Sequence, residues 1–152
     1  MENRFTRRIL GTLAGLLAGF LTLYALELVD LAIYPLPTVD PGDASARHEM
    51  MVAVPLGAML FVVLGWLAAP LAGTLVALRI DHWDTSAMII TAVSVFGGVS
   101  YLLSVAVPFW MELALIVGPV IGGTIGLGLS RWWLALRYAR GRLHKEGRGA
   151  GG

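Results

Sequence analysis

Five side chains of the sequence could bind a cation or move protons, and all fall near one end of the predicted helices. They belong to Glu27, Asp30, His48, Glu49 and Glu112. Carboxylates ligate divalent cations, and carboxylates and imidazole can relay protons inside membranes. The group therefore predicts an acidic, histidine-containing mouth. The alternative is a set of solvated interfacial charges, with Glu112 favoured by the positive end of the helix that it opens.

The first two carboxylates are expected to point in different directions. At 100° per residue, Asp30 falls nearer than Glu27 to the centre of the small-residue stripe on the same helix. We therefore expect Asp30 to face protein and Glu27 to lie to the side. His48 and Glu49 are adjacent and cannot share a helix face, and no spacing matches a known ligand motif. We predict no catalytic residue, no metal site and no cofactor.

Four apolar segments must position these groups, at about residues 9–28, 51–78, 86–107 and 109–129. Each reaches the roughly 20 residues that a helix needs to cross ~30 Å of hydrocarbon. Only 14% of the 152 residues are charged, against about 25% in soluble domains. These features predict an all-α, integral membrane four-helix bundle of two antiparallel hairpins. The transmembrane domain would span residues 1–135, followed by a basic, partly disordered tail at 136–152.

Basic residues gather at the two termini and are scarce in the predicted outer loops. The termini carry Arg4, Arg7, Arg8, Arg131, Arg137, Arg140, Arg142, Lys145 and Arg148. The positive-inside rule then predicts both termini in the cytoplasm, with the chain in a bacterial inner membrane. The basic tail either holds anionic lipid headgroups or is only a stop signal. Without a folded basic domain we expect no nucleic-acid partner.

Local signals predict where the helices begin and bend. The second helix is expected to start before the membrane, to kink at Pro55 and to kink again at Pro70, because proline removes a backbone donor. A side chain at Asp84, Thr85 or Ser86 is expected to cap the third helix. The chain has no cysteine, which excludes disulfides, thiolate catalysis and cysteine-based metal sites.

Small residues recur every four positions on three of the helices. The glycines in these stripes are Gly11, Gly15, Gly19, Gly65, Gly73, Gly118, Gly122 and Gly126. Membrane helices associate through close backbone contact, which glycine permits. We expect these glycines to pack the helices of one bundle, with a homo-oligomer joined along one stripe as the alternative.

The pattern resembles a group of small bacterial hypothetical membrane proteins with four spans. The residues that carry the resemblance are Glu27, Tyr34-Pro35-Leu36-Pro37, Val54-Pro55-Leu56-Gly57-Ala58, Gly73, Ala77, Arg79 and Pro108-Phe109-Trp110. The resemblance covers most of the chain before the tail. It implies four spans and an inner-membrane location, and it implies no catalytic residue.

The sequence leaves more than one function open. We favour a non-enzymatic accessory or structural subunit, in contact with membrane lipids and with a partner protein or a second copy. The alternative is a small oligomeric transporter or channel with an acidic vestibule. No charged residue lies near the middle of any predicted span, where proton-coupled pumps keep one. An enzyme acting on a lipid has the least support.

Overall fold

The structure is a computed structural model that describes the backbone of residues 2–35, 54–105 and 107–149. Side chains are described for residues 3–35, 54–105 and 107–136. Within these ranges the chain forms four helices: α1 (Glu2–Ile33), α2 (Leu56–Ile80), α3 (Asp84–Ser104) and α4 (Phe109–Gly149). Each contains a stretch long and apolar enough to cross a membrane. The predicted all-α, four-span architecture is confirmed.

Large apolar side chains cover the outside of the bundle. Phe96 is 72% exposed and Leu103 is 85% exposed, although both lie within a segment that could span the bilayer. A water-soluble bundle would bury its large apolar side chains, whereas lipid tails are as apolar as leucine and leave no reason to hide them. The exposed apolar surface therefore fits a multi-pass membrane protein.

Helix α2 lies at the centre and contacts each of the other three helices. It is antiparallel to α1, because Gly11 lies against Asp81 whereas Gly19 lies against Ala69. It contacts α4 extensively, and in the described residues α1 and α4 do not touch. Helices α3 and α4 form the second antiparallel hairpin. The predicted pair of hairpins is thus present, with α2 as the shared packing partner.

Seven of the eight glycines in the predicted stripes lie against another helix of the same chain, and the eighth, Gly11, lies against Asp81 in the turn after α2. A Cβ atom at Gly19 would lie 2.9 Å from the carbonyl oxygen of Ala69, and one at Gly126 would lie 3.0 Å from that of Leu71. Such contacts need a residue without a side chain. The interior between the helices is filled by fully buried side chains, the largest of which are Ile90, Leu115, Thr74, Pro70, Pro119 and Ser86.

Two local predictions about helix starts were wrong. Pro55 does not kink α2. It precedes the first helical residue in an extended conformation (φ −61°, ψ 144°), where its missing N–H breaks no helical bond. Helix α3 begins at Asp84, and no side chain caps it, because Ser86 bonds elsewhere and Asp84 pairs with Arg131. Pro70 does lie inside α2, as predicted.

The ends of the helices also differ from the predicted spans. Helix α1 extends beyond 9–28 at both ends, and α3 stops at Ser104 because the next residue is extended. Helix α4 continues past the predicted span end at 129 and runs without a break to Gly149, into the segment predicted as a tail. Helix two before Val54, including the predicted entry of His48 and Glu49, lies outside the described residues.

Candidate functional site

The two ends of the bundle differ in chemistry and are named here by their residues. The arginine end contains Arg7, Arg8, Arg79 and Arg131. The Asp30 end contains the last turns of α1 and α3 and the first turns of α2 and α4. A cavity of about 260 Å³ opens between α1, α2 and α3 at the Asp30 end. It is the best candidate for a functional site because a carboxylate and several aromatic rings converge on it.

Asp30 faces this cavity, and one of its carboxylate oxygens is buried. That oxygen, Oδ1, has no hydrogen-bond partner among the described residues. Leaving a buried polar atom unpaired costs roughly 1–3 kcal/mol, and more for a charged group. Buried charges in proteins are normally paired or bound to a cation. Binding of a proton, a hydrogen-bond donor or a cation at Asp30 would therefore be stabilising.

Three aromatic residues line the cavity, and a glycine on α3 makes room for one of them. Trp66 of α2 rests on Gly97 of α3, where a Cβ atom would lie 2.9 Å from the indole ring. Its ring centroid is 6.4 Å from that of Tyr101, at an interplanar angle of 54°. Phe61 also lines the cavity. The three aromatic residues therefore line the same cavity as Asp30.

A smaller cavity of about 80 Å³ adjoins the first and shares Asp30, Val62 and Tyr101 with it. Tyr34 lines this second cavity and makes an edge-to-face contact with Phe61 at 6.4 Å between ring centroids. The Tyr34 hydroxyl packs against the bare Cα of Gly57. Asp30 therefore stands between two spaces that both lie between helices.

The structure brings together only part of the predicted acidic mouth. Glu27 lines the larger cavity but is exposed, whereas Asp30 faces protein, as the helical rotation predicted. Glu112 is exposed and lines neither cavity. His48 and Glu49 lie outside the described residues. In the described part of the chain, no three His, Asp or Glu side chains are grouped as a metal site requires.

The turn between α2 and α3 forms a second polar cluster, at the arginine end. The Asp81 carboxylate accepts a hydrogen bond from the Trp83 backbone N–H at 3.0 Å and another from the Ser86 hydroxyl. Ser86 Oγ also lies 2.9 Å from Thr12 Oγ1 of α1. Because Gly11 carries no side chain, α1 can approach the Asp81 side chain closely. This cluster fixes the turn against α1.

Arginines surround this turn. The Arg7 side chain donates to the Ile80 carbonyl, one of the oxygens left free at the end of α2. The Arg8 guanidinium lies 4.6 Å from the Trp83 ring centroid, within the range of a cation–π contact. Arg131 Nη2 lies 2.6 Å from Asp84 Oδ2, and both side chains are more than half exposed. These contacts hold the arginine end together.

Sequence reasoning missed the aromatic part of the site. Trp66, Phe61 and Tyr101 lie on two different helices, and their approach to Asp30 depends on the register between helices. The Gly-Gly pair at 97 and 98 was a usable signal, because small residues mark places where a neighbouring helix packs closely. The sequence alone does not tell which ring fills it.

The chemistry that this arrangement allows is recognition of positive charge by a carboxylate and π-electron surfaces. Aromatic rings grouped around a site attract quaternary ammonium groups through their negative faces. No protein-family model, curated protein or solved structure matches the chain at a significant level.

Proposed function

We propose that the protein is a non-enzymatic accessory subunit of a bacterial inner membrane that binds a small organic cation at the Asp30 end. The observation that carries the proposal is the buried, unpartnered Oδ1 of Asp30 in a cavity of about 260 Å³. An ionisable residue inside a membrane span is expensive to keep and commonly marks a binding site. Membership of the four-span bacterial group suggested by the sequence pattern is part of the same proposal.

The wall of the cavity favours an organic cation over a metal ion. Calcium takes six to eight oxygen ligands and magnesium requires an octahedral set. Among the described residues this cavity offers the carboxylates of Glu27 and Asp30, with the rest of its wall mainly aliphatic and aromatic. A quaternary ammonium group needs no lone-pair ligands and gains from ring faces.

The size of the cavity limits the ligand. Drug-sized ligands occupy pockets of roughly 300–1,000 Å³, and this cavity lies below that range at about 260 Å³. A small headgroup such as that of choline fits the limit. A bulky multi-ring cation would require the helices to move apart.

The test is binding of choline to the purified protein in detergent, with 3,3-dimethylbutan-1-ol as the uncharged probe of the same shape. We expect choline to bind at least tenfold more tightly than the alcohol, and Asp30→Asn to remove that difference. Glu112→Gln removes the same charge at the same end but outside the cavities, so it should leave binding unchanged. Equal binding of both probes, or an unaffected Asp30→Asn variant, would rule out the proposal.

Both termini are proposed to lie in the cytoplasm. The proposal is supported by the arginines that cluster at the end where α1 begins and α4 leaves the span, according to the positive-inside rule. Because the natural chain has no cysteine, single cysteines can report sides directly. A membrane-impermeant thiol reagent applied to intact cells should label Pro35→Cys and spare Asn3→Cys. Labelling of Asn3→Cys alone would reverse the orientation.

Transport of the cation is the second candidate function. It is supported by the position of Asp30 inside the segment Asn3–Ile33, which could span the bilayer. Further from the Asp30 end, the fully buried side chains of Ile90 and Leu115 fill the space between the helices. Transport would therefore need an oligomer or a change of helix packing. Proteoliposomes loaded with radiolabelled choline should release it only when residue 30 is ionisable. Release no faster than from choline-loaded liposomes without protein would exclude transport.

A further inference from the structure

A third cavity, of about 210 Å³, lies between α2 and α4 at the arginine end. Three polar residues line it: Arg79, His82 and Ser130. Leu75, Leu78 and other leucines form the apolar wall. The cavity is at the opposite end of the bundle from Asp30 and shares no residue with the proposed cation site.

Ser130 provides the first observation that points to a ligand. The residue is only 9% exposed, and its Oγ atom is buried without a hydrogen-bond partner among the described residues. Most serine and threonine hydroxyls in these helices bond to a carbonyl three or four residues back, as Thr124 does to Val120 and Ile121. Ser130 makes no such bond. Its hydroxyl therefore lacks a partner next to a cavity that the residue itself lines.

Arg79 provides the second observation. It stands in the last turn of α2, with its guanidinium 5.7 Å from the Trp133 ring centroid. In the described part of the chain it has no carboxylate partner, whereas the neighbouring Arg131 is paired with Asp84. Contact with an aromatic ring leaves the five N–H donors of a guanidinium free to bind an anion.

His82 places another donor at the same cavity. Its backbone has a φ of 53°, a left-handed conformation that L residues adopt infrequently. This conformation belongs to the tight connection between Ile80 and Trp83, which the Asp81 side chain holds in place. The anchored turn thus places His82, which is exposed, at the edge of the cavity.

We propose that this cavity binds the phosphate of an anionic phospholipid, with the lipid tail along the leucine wall. One arginine guanidinium can donate two parallel hydrogen bonds to the oxygens of a phosphate. A serine hydroxyl and an imidazole N–H can each donate one more. The apolar wall and the two tryptophans, Trp132 and Trp133, suit a ligand that is part headgroup and part hydrocarbon. Basic pockets between membrane helices bind anionic headgroups in this way.

The site differs from a general attraction of lipid to the basic end. A surface attraction depends on net charge and would respond equally to any arginine. Binding at a specific site would instead require Arg79 in particular, and it would also require Ser130, which carries no charge. The experiment must therefore compare variants with the same change in charge.

Native mass spectrometry of the detergent-purified full chain can make this comparison, with dioleoyl phosphatidylglycerol and dioleoyl phosphatidylcholine as probes. We expect the wild type to retain one phosphatidylglycerol at least fivefold more tightly than phosphatidylcholine. Arg79→Gln and Ser130→Ala should each weaken phosphatidylglycerol binding about fivefold or more. Arg131→Gln, which removes the same charge from an exposed pair, should weaken it less than twofold.

Three results would overturn the proposal. Equal losses in Arg79→Gln and Arg131→Gln would show a net-charge effect without a site. If Ser130→Ala kept the wild-type affinity for phosphatidylglycerol, while size-exclusion chromatography and circular dichroism showed Arg79→Gln to be folded, the cavity would not be the lipid site. Displacement of the lipid by millimolar inorganic phosphate would assign the cavity to a soluble anion.

Discussion

Gly15 and Gly73 meet backbone to backbone. A Cβ atom at Gly15 would lie 2.7 Å from the carbonyl oxygen of Gly73, and one at Gly73 would lie 2.6 Å from that of Gly15. Each glycine is therefore the reason why the other helix can come so close. Ile90 of α3 packs against both positions, so this point joins three helices.

The first prediction is that Gly15→Ala destabilises the bundle by about 1–3 kcal/mol, because the added methyl group forces α1 and α2 apart. Gly128→Ala is the matched control, since nothing lies within 4 Å of a Cβ atom there. It should be neutral or gain up to ~1 kcal/mol from helix propensity. The measurement is reversible unfolding in mixed micelles, followed by circular dichroism.

Equal destabilisation by both variants would mean that the contact in α1 has no special role. The result also decides how a variant at position 15 can be used. Because Gly15 already packs against other helices of the same chain, its replacement tests folding and gives no information on a partner protein. A search for an oligomer must use the outer surface instead.

In α1, the spacing of small residues predicted which face packs against protein but not the register of α1 against α2. The four-residue spacing identified the packing face, and the same rotation placed Asp30 inward and Glu27 to the side. The spacing could not reveal that Gly11 lies against Asp81, because that contact depends on how far α1 slides along α2. Pro55 was placed inside a helix because the apolar run before it hid the start of α2.

The second prediction concerns the buried hydroxyl of Thr74. Its side chain is fully buried in α2, and its hydroxyl has no partner among the described residues. Replacing an unpaired buried hydroxyl by a methyl group of similar shape removes the cost of the unmade bond. We expect Thr74→Val to raise the free energy of unfolding by about 1 kcal/mol.

Thr124→Val is the control for this change, because its hydroxyl is bonded to its own helix and is exposed. It should alter the unfolding free energy by less than about 0.5 kcal/mol. If Thr74→Val destabilised the protein, the hydroxyl would have to bond to a buried water.

The third prediction concerns the turn between α2 and α3. Asp81→Ala leaves the Trp83 N–H and the Ser86 hydroxyl without their acceptor, so it should destabilise the protein by about 1–3 kcal/mol. Asp81→Asn keeps one carbonyl oxygen and should have roughly half that effect. Asp84→Asn breaks only an exposed ion pair, which is worth at most about 1 kcal/mol.

The same unfolding assay ranks these variants. An Asp84→Asn effect as large as that of Asp81→Ala would place the anchor of the turn in the ion pair. Repeating the titration at higher salt separates the two cases, because screening weakens an exposed pair and leaves the bonds of Asp81 largely unchanged.

The last prediction tests the contact that shapes the cavity at Asp30. A Cβ atom at Gly97 would lie 2.9 and 3.0 Å from two atoms of the Trp66 ring. Gly97→Ala should therefore displace the ring and destabilise the protein by about 1–2 kcal/mol. In the Trp66→Leu background the ring is absent, so the same alanine should have little effect. The double-mutant cycle should give a coupling energy of about 1 kcal/mol or more.

Trp66→Leu combined with Gly128→Ala should be additive within about 0.5 kcal/mol. An additive Gly97 cycle would mean that Trp66 does not rest on α3, and the cavity would then need another wall.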